Sequence, residues 1–163
     1  MPSSRRSGAL VPIWSPTFSR EDSRTTHCSS SRSEQALTAP PIRVLLVEDS
    51  EIYRDSLVFL LGRRDGIEIV GAVADGASAI RVAPDLSADV VVLDYRLPDV
   101  DGGEVAAAIR ERHAATPIVF LSASAGREEY DAAAFAGAPL VRKDDGIDAL
   151  VEAVRAVAGR SDA

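Results

Sequence analysis

The sequence predicts an α/β protein whose open parallel sheet is covered by helices on both faces. Three observations carry that prediction. First, Val90-Val91-Val92-Leu93 is an unbroken apolar run, which reads as a strand buried on both faces, as in a parallel sheet. Second, apolar runs of strand length alternate with stretches of helical period, giving five strand–helix pairs across 42–160. Third, polar groups stand where the strands end, and open α/β sheets bind ligands at the carboxyl ends of their strands.

The elements follow in order. Residues 42–47 form the first strand, diluted only by Arg43. Ser50 caps a helix that runs to about Leu61, with Tyr53, Leu57, Leu60 and Leu61 on one face. Gly62 and Gly66 bracket a turn, and 67–74 is the second strand. A short helix over 76–83 is expected to stop near Pro84. Residues 90–94 are the third strand, and Gly102-Gly103 opens a helix over 102–113. Residues 117–121 are the fourth strand, and 127–136 an Ala-rich helix that ends at Gly137. A brief fifth strand covers 140–142. Gly146 opens the last helix, with Ile147, Leu150, Val151, Val154, Val157 and Ala158 on its apolar face.

Composition bounds the function. The 163 residues suit one domain plus some excess, 46% hydrophobic content can build a core, and no run approaches a membrane span. Residues 1–41 carry five Arg against three acids, a net of +2. The remainder carries 13 basic and 22 acidic residues, a net of −9. An acidic body argues against direct nucleic-acid binding. Residues 1–41 are rich in Ser, Arg and Pro and read as a disordered N-terminal tail. The domain is expected over 42–160, with 161–163 as a C-terminal tail and no second domain. The single cysteine, Cys28, cannot form an internal disulfide, which fits a reduced, cytoplasmic setting without membrane attachment.

The strand ends hold the chemistry. The first strand ends in Glu48-Asp49, the third in Asp94, the fourth in Ser122 and the fifth in Lys143. Parallel topology brings all of them to one edge of the sheet. Three carboxylates at close range repel, so they need a cation or must take up protons. Hard oxygen ligands suit Mg²⁺, and the absence of soft ligands argues against zinc. Lys143 supplies a point charge for a phosphoryl oxygen, and the Ser122 hydroxyl can donate to another. These are the parts needed to stabilise phosphoryl transfer onto a free carboxylate, that of Asp94. The chain has 17 Arg and this one Lys, which places its only lysine where Arg does not serve. Asp99 and Asp101 read as exposed loop acids, and Tyr95 as a residue at the mouth of the site.

At this point the residues resemble the receiver domain of two-component response regulators. The resemblance rests on Val44-Leu45-Leu46-Val47-Glu48-Asp49, on Asp94-x-x-x-Pro98-x-x-x-Gly102, on Pro117-Ile118-Val119-Phe120-Leu121-Ser122-Ala123, and on Ala136-Gly137-Ala138 followed by Lys143-Asp144. Lys followed by Asp rather than Pro is similar to the subfamily whose members often carry a helix-turn-helix effector. The resemblance implies a flavodoxin-like (βα)5 doubly wound sheet in strand order 2-1-3-4-5, with Glu48, Asp49 and Asp94 meeting at the switch point. It implies Asp94 as phosphoacceptor, with Lys143 and Ser122 reading the phosphoryl oxygens. Mg²⁺ would be held by Glu48, Asp49 and Asp94, directly or through water, and by the backbone carbonyl of Arg96. The implied partners are a histidine kinase or phosphotransfer protein, or a small donor such as acetyl phosphate, and an unknown downstream protein. The outer face of the last helix is a candidate homodimer surface. Such a protein is not an enzyme beyond catalysing its own phosphorylation and dephosphorylation, on which positions such as Arg96 and Ser124 bear. One departure motivates an alternative: Leu140 stands where the family commonly has an aromatic, three residues before the lysine. A pseudo-receiver acting as a phosphorylation-independent interaction module is that alternative. A nucleotide-binding or hydrolytic enzyme ranks last, because acids follow the first strand where a phosphate loop needs glycines.

Overall fold

The computed structural model describes residues 40–124 and 126–159, and the expected tails lie outside them apart from Pro40 and Pro41. Five parallel strands form one sheet: β1 (Ile42–Val47), β2 (Ile67–Val73), β3 (Val90–Asp94), β4 (Ile118–Ser122) and β5 (Leu140–Arg142). Their order is β2-β1-β3-β4-β5, the one expected. The helices are α1 (Glu51–Leu61), α2 (Gly76–Leu86), α3 (Gly102–Arg112), α4 (Arg127–Phe135) and α5 (Ile147–Ala158).

The alternation of side chains across each strand explains why the central strands are apolar throughout. Val44 and Leu46 of β1, Val90 and Val92 of β3, and Val119 and Leu121 of β4 face one layer. There they meet Leu57 and Leu61 of α1 and Leu150 and Val154 of α5. The intervening residues Leu45, Val47, Val91, Leu93, Ile118 and Phe120 face the other layer, with Ala79 of α2, Val105 and Ile109 of α3, and Ala133 of α4. Each buried Val, Leu, Ile or Phe contributes about 1.5–3 kcal/mol relative to exposure. A polar residue on either face of β3 would therefore be costly, until the strand reaches its last position, Asp94.

Two expectations are corrected. The helix after β2 does not stop at Pro84 but runs one more turn to Leu86, and Ser87 closes it with φ 47°. Pro84 forgoes one backbone bond there, but long-range contacts hold the extra turn. Arg43 of β1 donates to the carbonyls of Leu86 and Ser87. Leu86 packs over Gly71 of β2 so closely that a Cβ at Gly71 would lie 2.6 Å from its Cδ1. Leu60 is 41% exposed rather than on the buried face of α1, which is carried by Leu57 and Leu61. Other boundaries agree within a residue or so, as helix and strand ends commonly do.

Chain order opens the crevice. β1 connects outward to β2, whereas β2 returns across β1 to β3, so the chain diverges at the carboxyl ends of β1 and β3. Backbone bonds extend past the strands and fix the residues there. Glu48 N–H donates to Val73 O (3.0 Å), Tyr95 N–H to Leu121 O (2.8 Å) and Lys143 N–H to Ser122 O (2.8 Å).

Candidate functional site

Asp94 is the last residue of β3 and is 4% exposed. Its Oδ2 lies 2.7 Å from Lys143 Nζ, and its Oδ1 accepts the Arg96 N–H at 3.0 Å. Glu48, just past β1, is 1% exposed. Lys143 Nζ donates to its Oε1 at 2.9 Å and pairs with its Oε2 at 2.7 Å, while Ser50 N–H reaches Oε1 at 3.3 Å. Asp49 is exposed at the rim. One carboxylate oxygen each of Glu48, Asp49 and Asp94 lies within 4.8 Å of the others. Ser122 ends β4, fully buried, and its hydroxyl makes no hydrogen bond of good geometry. The strand ends thus bring together the residues expected from the sequence.

The charges do not balance. Burial, the largest influence, and the nearby Asp94 carboxylate push the Glu48 acid up, and the hydrogen bond from Lys143 opposes them without prevailing. Burial lowers Lys143, but the hydrogen bonds and charges of Asp94 and Glu48 outweigh it and leave the ammonium above its ordinary value. One ammonium therefore serves two buried carboxylates, with a third beside them. That arrangement calls for more positive charge. The donors are all hard oxygens, so the residues present fit Mg²⁺.

Several supporting residues escaped the sequence reading. Arg54 of α1 donates to Glu48 O at 2.8 Å and to Asp49 O at 3.4 Å, holding the turn that carries the acidic pair. Glu129 of α4 is 2% exposed, pairs with Arg96 Nε at 2.7 Å and accepts the Gly126 N–H. Burial raises that acid. The bond from Arg96, the Gly126 N–H and the Ser122 hydroxyl more than offset the rise, so Glu129 stays below its usual range. A helix-start pattern of cap residue and Glu three positions on would have signalled it, but the cap is Gly126, which has no side chain. Asp99 and Asp101 are exposed as expected, yet both cap helices. Asp99 accepts the Gly76 and Ala77 N–H groups at 3.0 Å each, and Asp101 accepts the Gly103 N–H at 2.8 Å. Tyr95 leaves the site edge-on to Phe120, with ring centroids 5.6 Å apart. Tyr53 of α1 presents its ring to Lys143, with Nζ 4.8 Å from the centroid.

Residues 44–155 match the family of the response regulator receiver domain. The chain belongs to this family. Solved receivers similar to it include the two-component response regulator of the LuxR family from Aurantimonas sp. SI85-9A1. That structure is 32% identical with a TM-score of 0.69, over 73% of this chain and 86% of that one. The response regulator domain of Thermotoga maritima CheB is 27% identical with a TM-score of 0.66, over 73% of this chain and 97% of that one. The transcriptional regulatory protein PdtaR of Mycobacterium tuberculosis (strain CDC 1551 / Oshkosh) is 39% identical over 100 residues, 61% of this chain and 48% of that protein. The chain spans less than half the length of the curated relatives it matches, from 23% to 48%. Family and sheet order are thus those the motifs implied, and the receiver's acidic crevice sits at its switch point. No helix among the described residues is long and apolar enough to cross a membrane.

Proposed function

We propose that this receiver is a phosphorylation switch with Asp94 as its phosphoacceptor. The observation that carries the reading is the convergence of Glu48, Asp49, Asp94 and Lys143, from three strand ends, on one crevice. An Asp94 carboxylate oxygen attacks phosphorus and forms a new O–P bond. The bond from phosphorus to the donor breaks, and its electron pair stays with the donor. The donor is a phosphohistidine of a histidine kinase or phosphotransfer protein, or acetyl phosphate. Glu48, Asp49, Asp94 and the carbonyl of Arg96 would hold Mg²⁺, directly or through water. Bound there, the ion would supply positive charge that offsets the repulsion between these carboxylates and an incoming phosphoryl group. Lys143 exchanges one carboxylate partner for a phosphoryl oxygen. The Ser122 hydroxyl, fully buried at the end of β4, donates to another. The domain catalyses its own phosphorylation and dephosphorylation, and a downstream protein reads the two states.

Incubation with acetyl phosphate and Mg²⁺ is expected to add one phosphoryl group, detected by intact-protein mass. Asp94→Asn and removal of Mg²⁺ by chelator should each abolish it; equal labelling of Asp94→Asn overturns the assignment. A second reading, the phosphorylation-independent interaction module, is favoured by Leu140, which puts a half-buried aliphatic where an aromatic would report the state. Failure to bind beryllofluoride in the presence of Mg²⁺ would decide for it.

A further inference from the structure

We infer that Tyr53 is a positioning residue for Lys143, its ring forming the third wall of the ammonium's site. The inference rests on the phosphoacceptor reading for its consequence and on geometry for the contact. Lys143 is the only lysine among the 18 basic residues, and it spans from the end of β5 to the ends of β1 and β3. Its ammonium meets Asp94 at 2.7 Å and Glu48 at 2.7–2.9 Å, with the Tyr53 ring centroid 4.8 Å away. The side chain is 19% exposed, so little water competes for this cation. A ring face attracts an ammonium without carrying a formal charge, and most strongly where the cation is desolvated.

Local structure fixes the ring in place. Ser50 caps α1, and its hydroxyl accepts the Tyr53 N–H at 3.4 Å, so Tyr53 belongs to the capped first turn. Tyr53 also lines an apolar cleft between α1 and α5, with Leu57, Leu121, Ile147 and Leu150. A phosphoryl group must draw Lys143 from a carboxylate to one of its oxygens, and the ring keeps the ammonium in reach during that exchange without itself competing as an anion.

Because Lys143 is the sole lysine, lysine labelled with ¹³C at Cε gives one resonance without further assignment. The ε-methylene protons should be shifted upfield by the ring in the parent and in Tyr53→Phe. They should return toward the free-lysine position in Tyr53→Leu, which keeps the cleft filled. Phosphorylation by saturating acetyl phosphate should be near parental in Tyr53→Phe and about tenfold slower in Tyr53→Leu, with Mg²⁺ affinity by calorimetry unchanged. An identical Lys143 resonance in parent and Tyr53→Leu overturns the inference, as does a parental rate in Tyr53→Leu. If the parent itself takes no phosphoryl group, the phosphoacceptor reading falls, and the resonance still decides the ring contact.

Discussion

At Gly102 the chain has no room for a side chain. A Cβ there would lie 2.8 Å from Tyr95 Cα and Tyr95 O and 2.9 Å from Asp94 O. All three are backbone atoms, so no flexible side chain can yield. The close approach has a purpose in the local structure: Gly102 N–H donates to Tyr95 O at 2.9 Å, tying the start of α3 to the strand end that carries Asp94. Gly102→Ala must push α3 away from that strand end or shift the backbone beside Asp94. The expected cost is about 1–3 kcal/mol, as for other overpacked sites. Urea unfolding should show a lower midpoint with an unchanged m value, and phosphorylation should slow as well. A parental midpoint would mean that the loop yields freely and that Gly102 has no such constraint. Arg54 works at the same scale on the other side of the crevice, where its guanidinium fixes the carbonyls of Glu48 and Asp49. The family resemblance exposed Gly102, since a glycine eight positions after Asp94 belongs to the pattern that carries it. No comparable pattern exposes Arg54, whose partners are backbone carbonyls that any residue possesses.

Among the elements, α2 depends on partners distant in sequence at both of its ends. Its N-terminus is capped twice: by Asp75, which accepts the Ser78 N–H at 2.7 Å, and by Asp99 from the loop after β3, which takes the Gly76 and Ala77 N–H groups. Those two backbone bonds, led by that from Gly76, hold the Asp99 acid below its ordinary value. A depressed carboxylate binds fewer protons in the folded than in the unfolded chain. Its contribution is therefore present above the unfolded pKa of about 3.9 and is lost as pH falls through the lower folded value. Asp99→Asn cannot titrate. Its urea midpoint should consequently fall less steeply than the parent's as pH drops below about 4, and parallel curves would exclude the cap as a source of acid sensitivity. The same helix marks the limit of what the sequence disclosed. Strands β1, β3 and β4 were legible because burial on both faces leaves an apolar run, and they end where polar chemistry begins. The last turn of α2 was not, because what stabilises it past Pro84 is Arg43 and the notch at Gly71 on other elements. Glu129 and Tyr53 escaped for the same reason: each acquires its role from a residue that only the fold brings near, Arg96 in one case and Lys143 in the other.

Over the whole molecule, sheet order determines how charge accumulates. Glu48 and Asp94 stand 95 and 49 positions from Lys143, yet both reach the same ammonium because β1, β3 and β5 run parallel to one edge. The result is three carboxylates against one lysine in a domain that is already acidic. Folding must bring Asp94 against the adjacent Glu48 and Asp49, whereas the unfolded chain keeps it apart from them, so the crevice costs stability without a cation. Asp49 is the least compensated of the three, since Lys143 pairs with the other two. Replacing it by Asn removes one repelling charge and keeps the shape of the side chain. In chelator, Asp49→Asn should unfold at a higher temperature than the parent. Magnesium should reverse the comparison. A ligand that binds only the folded state adds RT ln(1 + [L]/Kd), about 2.7 kcal/mol at a hundredfold excess over Kd. For a domain of this size that is a shift of several degrees or more in Tm. If Asp49 is a ligand as proposed, the parent should gain that shift as Mg²⁺ is titrated, while Asp49→Asn should gain little at the same concentrations. Calcium or another hard divalent cation should act in the same direction, and monovalent salt at equal ionic strength should not reproduce the difference. An equal Mg²⁺ shift in the two proteins would remove Asp49 from the ligand set, and a less stable Asp49→Asn in chelator would show that the crevice is not under electrostatic strain.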